Sequence, residues 1–281
     1  MKCYYKMNNL FQIKETDIAT PTNYIGSGKF GRVFTSKYKN KDVVYKIMKH
    51  GISLKMFINE LTILQSLQGH FGIVGLHGYI VSPNKMIIVM EHAKGITLHD
   101  LISYYDITYA KTLLICRQIV STMIYIHSKN IVYCDLKPDN IIIDPETSNV
   151  KLLDFGLSIQ LDASNKVARG DPCGTTGYIA PEVLFNGCFG IKCDVYSFGV
   201  LLFVIHTNRN PTHVSKMKII LKHHYERNIY KLFCQCVQTL PKNRPSFIEI
   251  YNTIVRLEAI TEKYNKFYTN IYKKFFSCCF P

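Results

Sequence analysis

The most specific chemistry in the chain lies in one run, Tyr133-Cys134-Asp135-Leu136-Lys137-Pro138-Asp139-Asn140, followed 14 residues beyond Asn140 by Asp154-Phe155-Gly156. Each polar group has a task in phosphoryl transfer. A carboxylate must orient an attacking hydroxyl and accept its proton, and hard oxygen ligands must hold Mg²⁺ against nucleotide phosphates. Asp135 suits the first task; Asn140 and Asp154 suit the second. Lys137, two residues after the candidate base, can stabilise charge on the phosphoryl group in flight. Two unrelated turns rich in Asp and Asn would explain either motif alone, but need a coincidence to give both in this order.

A second cluster, Gly26-Ser27-Gly28-Lys29-Phe30-Gly31-Arg32-Val33, can bring a strand-turn-strand backbone close to phosphates and offer them its N–H groups. Alone it is weak, since turns and dinucleotide folds carry similar glycines. The dinucleotide version needs a helix directly afterwards, whereas Val33-Phe34-Thr35 continues as a strand. Fifteen residues after Gly31, Lys46 ends an apolar strand, where an ammonium group needs an anion unless its stem snorkels to water. Glu60 could be that anion, holding Lys46 toward a nucleotide; on its own it reads as a solvated helix residue.

The elements that must position these groups fall into two halves. Tyr24-Ile25, Arg32 to Thr35, Val43 to Met48, Leu76 to Val81 and Met86 to Met90 read as short strands, separated by Gly, Asn, Asp and Pro. Met56 to Leu67 interrupts them with apolar residues at three- and four-residue intervals, one buried helix face. After Met90, Ala110 to His127, Val195 to Thr207 and Phe247 to Thr261 read as helices. A strand-rich small lobe with one helix, followed by a larger helical lobe, is an α+β arrangement with a cleft between the lobes. The expected division is an extension over 1–21, a small lobe over 22–90, a large lobe over 91–257 and a basic aromatic tail over 258–281.

The composition agrees with a folded chain of 281 residues: 47% of them are apolar and 19% charged. Lys plus Arg is 34 and Asp plus Glu 20, a net +14 that attracts polyanions. Those basic residues are spread along the chain, so nucleic-acid binding is not expected as the main role. The ten cysteines show no repeated Cys-x-x-Cys and no matching His pair, against a zinc framework or a disulfide scaffold. The first residues lack the apolar stretch of a signal peptide, and the longest apolar runs, such as Val200 to Ile205, fall far short of the roughly 18 residues that span a bilayer. An intracellular protein of cytoplasm or nucleus, with reduced thiols, is expected. The tail Lys263 to Pro281, ending in Ser277-Cys278-Cys279, reads as an extension of the last helix in preference to an acylated membrane-surface segment.

Over about residues 22 to 257 the ordered motifs resemble the eukaryotic-type protein kinases. Gly174-Thr175-Thr176-Gly177-Tyr178-Ile179-Ala180-Pro181-Glu182 is similar to the end of a kinase activation segment. Asp194-Val195-Tyr196-Ser197-Phe198-Gly199 is similar to the start of the family's central large-lobe helix, and Arg244 matches the Arg that pairs with Glu182. The resemblance implies a bilobal fold, ATP with Mg²⁺ (Mn²⁺ as a possible substitute) and a protein substrate. It implies nucleotide contacts from Gly26, Ser27, Gly28, Gly31, Val33, Val44, Lys46 and Ile142, with Met90 as gatekeeper and the backbone of Glu91 to Ala93 as hinge. Lys137 and Thr175 imply serine/threonine acceptors, and the wording resembles the tyrosine-kinase-like branch of that class.

The chain departs from the family in several places. Tyr133-Cys134 replaces the usual His-Arg before the base, removing the guanidinium that receives an activation-loop phosphate, so activity independent of such phosphorylation is expected. Leu64, Leu76, Tyr133 and Phe155 are expected still to stack across the lobes. Val44 narrows the roof of the adenine pocket where most members have Ala, and Asn208 to His224 leaves little room for a full substrate-docking helix. Thr97 stands where members selective for basic substrates place an acidic residue, which leans toward acidic or neutral substrates. The trimmed chain without Trp resembles virus-encoded kinases. A pseudokinase acting as a nucleotide-dependent binding or scaffold module is the alternative, and a small-molecule phosphotransferase a third reading.

Overall fold

The computed structural model describes residues 11–162, 166–209, 211 and 226–279, with side chains of the last helix described as far as Tyr264. Most of Asn208 to His224 lies outside the described residues, so the expected shortening there has no structural counterpart to compare. Ser164 lies outside them too.

The small lobe begins with three antiparallel strands, β1 (Tyr24–Ser27), β2 (Gly31–Tyr38) and β3 (Lys41–Met48). Lys39 and Asn40 join β2 to β3 with φ of 48° and 62°, the left-handed pair that a two-residue hairpin of matching twist requires. Helix α1 (Leu54–Ser66) follows, then β4 (Leu76–Ser82) and β5 (Lys85–Glu91), giving a sheet of order β1-β2-β3-β5-β4. Ser53 caps α1 by accepting the Met56 N–H at 3.2 Å. Phe57, Ile58, Leu61, Ile63 and Leu64 are buried at helical spacing, each burial contributing about 1.5–3 kcal/mol. The same face buries Glu60.

Strands β3 and β5 are apolar on both faces, so the side away from α1 also needs a cover. Residues 11–18 supply it. Ile13 is buried with Tyr38, Val43, Tyr45, Ile80, Ile87 and Val89, its N–H donates to Tyr79 O at 2.8 Å, and the Tyr79 N–H donates to Phe11 O at 3.1 Å. Part of the stretch set apart in the sequence as an extension thus packs on the small lobe's sheet.

The large lobe runs β6 (Ile96–Thr97), α2 (Leu98–Tyr104), α3 (Tyr109–Ser128), β7 (Ile131–Val132), a 3-10 turn (Pro138–Asn140), β8 (Ile141–Ile143), β9 (Val150–Leu152), β10 (Ile159–Gln160), β11 (Ala168–Arg169), α4 (Pro181–Asn186), β12 (Cys188–Phe189), α5 (Ile191–Thr207), α6 (Glu226–Cys236) and α7 (Phe247–Cys279). Every residue of α5 from Cys193 to Ile205 is buried, so it is a central helix with no polar face. Helix α7 continues unbroken past residue 261 to Cys279. Leu64, Tyr133 and Phe155 are buried in one continuous apolar core with Leu76 packed against it, and of the expected column the Tyr133–Phe155 ring contact is present.

Candidate active site

The run from Tyr133 to Asn140 sits at the cleft because α5 grips it from below. The Asp194 carboxylate, fully buried, accepts the backbone N–H groups of Tyr133 and Cys134 at 2.8 Å each and the His127 ring N–H at 2.8 Å. Those bonds hold Cys134 at φ 70°, a left-handed conformation that costs a non-glycine residue of order 1–3 kcal/mol. The backbone reversal leaves Asp135 at the centre of a network. Its Oδ1 accepts the Thr175 hydroxyl at 2.6 Å, its Oδ2 accepts Asn140 Nδ2 at 2.9 Å, and Lys137 Nζ lies 3.2 Å from Oδ2 while donating to Thr175 at 2.8 Å.

Opposite this network, β3, α1 and the Asp154 turn bring three charges together. Lys46 Nζ donates to Glu60 Oε1 at 2.7 Å and to Asp154 Oδ1 at 2.9 Å. Burial disfavours the charged ammonium, but the two carboxylates outweigh it and hold Lys46 above its usual range. At Asp154 burial is likewise outweighed, here by Lys46, and its carboxyl is held below the usual carboxylate range. At Glu60 burial prevails over Lys46 and raises the carboxyl, in keeping with a buried Oε2 that has no hydrogen-bond partner.

The glycines differ in what they are for. A Cβ on Gly31 would meet Ile47 O at 2.7 Å, so pairing of β2 with β3 requires glycine there. Gly26 and Gly28 would meet nothing within 4 Å, so packing of the chain itself gives no reason for glycine at either position, and a close-approaching phosphate would. Ser27 ends β1 between them, and Val33 pairs with Lys46. Val44 pairs with Met90 on β5, and Met90 is buried. Glu91 commits its side chain to Lys151, at 3.0 Å, and to the Gly75 N–H. Ala93 and Ile142 are half-buried, Ile142 in β8 between Thr97 and Lys151. Thr97 caps α2, accepting the Asp100 N–H and donating to its carboxylate at 2.6 Å, so its hydroxyl is spent on the fold.

Several contributors were not singled out in the sequence. Phe30, at the tip of the glycine turn, is buried and folds inward: a Cβ on Gly156 would lie 2.9 Å from its ring, and Lys46 Nζ stands 5.9 Å from the ring centroid. Lys49 ties the same turn down by donating to Gly28 O at 2.6 Å. Tyr133 does more than fill space beneath Phe155, whose ring it meets edge-on at 5.1 Å. Its hydroxyl donates to the backbone carbonyl of Leu153, directly before Asp154, and also contacts the Asn140 side chain. One phenol thus touches the neighbourhoods of both candidate metal ligands. Tyr133→Phe is therefore expected to raise the Mg²⁺ concentration needed for half-maximal nucleotide-dependent thermal stabilisation several-fold, with the apo melting temperature lowered by the loss of a bond worth about 1 kcal/mol. An unchanged Mg²⁺ requirement would show the hydroxyl to be purely structural.

Asn140 and Asp154 offer the hard oxygen donors that magnesium prefers, and the open space above Gly26 and Gly28 suits the phosphates that would complete its shell.

Residues 20–274 match the family model described as protein kinase domain. Over 191 residues, 66% of this chain, the sequence is 34% identical to RasGEF domain-containing serine/threonine-protein kinase X of Dictyostelium discoideum, covering 20% of that protein. It is 37% identical over 213 residues to Serine/threonine-protein kinase D2 of Rattus norvegicus, covering 69% of this chain and 24% of that protein. It is 32% identical over 212 residues to Calcium-dependent protein kinase 4 of Plasmodium berghei, covering 70% and 39%. The matched stretch is thus well under half of each relative's length. The likeness to virus-encoded kinases gains no support from these three relatives. Among the described residues no helix is long and apolar enough to cross a membrane.

Proposed function

The chain belongs to the protein kinase family, and from that premise we propose that it transfers the γ-phosphate of Mg-ATP to serine or threonine hydroxyls of protein substrates. The observation that carries this reading is the hydrogen-bonded set of Asp135, Asn140, Lys137 and Thr175 facing the Lys46–Glu60–Asp154 triad. Asp135 is the base: its carboxylate orients the acceptor hydroxyl and takes its proton as the new O–P bond forms. Lys137 offsets charge on the phosphoryl group, and Thr175 fixes both Asp135 and Lys137. Lys46, aimed by Glu60, would bind nucleotide phosphates, and Asn140 and Asp154 would hold the metal, which would supply positive charge against those phosphates. Val44, Ile142, Met90 and the backbone of Glu91 to Ala93 would line the adenine site. Lys137 and the Ser/Thr kinase relatives support the choice of acceptor.

The activation segment is held without a phosphate by pairing of β10 with β7 near its start, by pairing of β11 with β12, and by Thr175 at the catalytic loop. Phosphorylation of that segment is accordingly not required. The test is transfer of labelled γ-phosphate to a mixed protein acceptor, followed by phosphoamino-acid analysis, with phosphatase-treated, Thr176→Ala and Ser164→Ala protein alongside. Phosphoserine or phosphothreonine at undiminished rate in all samples is expected. No transfer despite nucleotide-dependent thermal stabilisation points instead to a pseudokinase, and loss on dephosphorylation overturns the statement about control.

A further inference from the structure

We propose that Cys134, Cys173 and Cys193 make up a redox-active thiol cluster in which Cys173 of the activation segment and Cys134 of the catalytic loop join in a disulfide under hydroperoxide. All three are free thiols lining one small cavity between the catalytic loop, the activation segment and α5. The side chains of Cys134 and Cys193 are hydrogen-bonded to each other. The backbone next to Cys173 already lies on the catalytic loop: a Cβ built on Gly174 would stand 3.1 Å from Cys134 O. Cys134 thus occupies the place from which the absent Arg would have reached the segment, and puts a thiol there.

Accessibility and charge set the order of events. Cys193 is buried, whereas Cys134 and Cys173 are both half-buried; of that pair Cys173 is the one with an ammonium group, Lys29, that favours its thiolate, so Cys173 attacks peroxide. Burial raises the Cys173 thiol, with the Lys29 ammonium on the glycine turn partly offsetting it, and the bond to Cys193 together with burial raises Cys134. Both thiolates are scarce, so the pair responds slowly, to sustained oxidant. The Cys173 thiolate attacks the peroxide; an S–O bond forms, the O–O bond breaks, and an alcohol or water leaves. Cys134 Sγ then attacks the sulfenic sulfur, the S–S bond forms, the S–O bond breaks and water departs with the Cys134 proton. Two thiols lose two electrons and two protons, and one peroxide is reduced.

A disulfide fixes the two Cβ atoms about 3.5–4.5 Å apart, so its formation clamps residue 173 to the catalytic loop in a geometry that the free thiols do not impose. Thr175, two residues along, hydrogen-bonds the base at 2.6 Å. Displacing such a group by about 1 Å can cost roughly 10²-fold in rate, so oxidation is inhibitory.

The test uses the full chain with Cys3, Cys278 and Cys279 replaced by Ser, treated with excess hydrogen peroxide, alkylated, and mapped by mass spectrometry without reduction. The expected result is a Cys134–Cys173 linked peptide, at least tenfold loss of phosphoryl transfer, and recovery with dithiothreitol. Cys173→Ser, with Cys173→Ala as a second variant should the first fold poorly, is expected to keep basal activity and resist peroxide. A Cys134–Cys193 link in its place, no link at Cys173, or equal peroxide sensitivity in both variants would overturn the proposal. Only the activity arm rests on the kinase reading: a linked peptide in a chain without transfer activity upholds the thiol chemistry and counts against the kinase.

Discussion

Asp135→Asn is expected to lower turnover about 10²- to 10⁴-fold, the usual cost of losing a positioned base, while nucleotide-dependent thermal stabilisation stays as it was. The local geometry makes this substitution nearly isosteric. With its oxygen in the place of Oδ2, the amide still accepts from Asn140 and Lys137, and its NH₂ can donate to the Thr175 hydroxyl that formerly donated to Oδ1. The network therefore persists, and what disappears is the capacity to accept a proton. Asp135→Ala removes the network as well, so it is the less informative variant. Single-turnover transfer measured beside the melting shift separates the two effects. An Asn variant within threefold of the unmodified rate would sink Asp135 as the base; parallel loss of rate and nucleotide stabilisation would assign it a binding role.

Recognition of these residues in the sequence worked where short-range chemistry decides the outcome. The apolar run from Val43 to Met48 and the three-and-four spacing from Met56 to Leu67 each match an element of the structure, the strand because both of its faces are covered and the helix because one of its faces is buried. Element ends were less legible: α1 begins at Leu54, where Ser53 can cap it, and α5 begins at Ile191, before the apolar run that marks its middle. The Lys46–Glu60 pair was legible because a buried ammonium needs an anion and few acids were placed to serve. Its second partner, Asp154, lies 108 residues away and was assigned only to metal.

What escaped the sequence depends on contacts with no local pattern. Ile13 has no periodic neighbours to mark it as core, and is buried only because the outer face of β3 and β5 is apolar. Phe30 reads as one residue of a glycine turn until the turn folds inward. The thiols at 134, 173 and 193 are separated by catalytic loop, activation segment and helix, and no spacing rule joins them. Tyr133 is the instructive intermediate case. Its ring was foreseen as a filler under Phe155, whereas its hydroxyl, with Leu153 O and Asn140 as partners, follows only from the tertiary position of the Asp154 turn.

Arg244→Ala is expected to cost about 3–5 kcal/mol, the range for removing one partner of a buried ion pair. For a chain of this size that lowers the melting temperature by roughly 5–9 °C. Its side chain has 0% exposure and uses all its donor nitrogens. Nη1 and Nη2 meet Glu182 Oε1 and Oε2 at 2.6 and 2.7 Å, while Nε, Nη1 and Nη2 donate to the carbonyls of Gln238, Lys192 and Thr239. The guanidinium also lies 5.1 Å from the Tyr196 ring centroid. Truncation leaves a carboxylate and three carbonyls without their donor in a closed space. Arg244→Lys keeps the charge but not the planar fork, so it is expected to recover only part of the loss. Glu182 stands at the start of α4, directly after the segment that carries Thr175, so the damage should spread to the substrate platform. Transfer to protein substrate should fall further than nucleotide binding does. In a double-mutant cycle with Glu182→Gln, a coupling of about 0.5–3 kcal/mol is the expected mark of one shared network, and strictly additive losses would show that the pair contributes nothing as a pair.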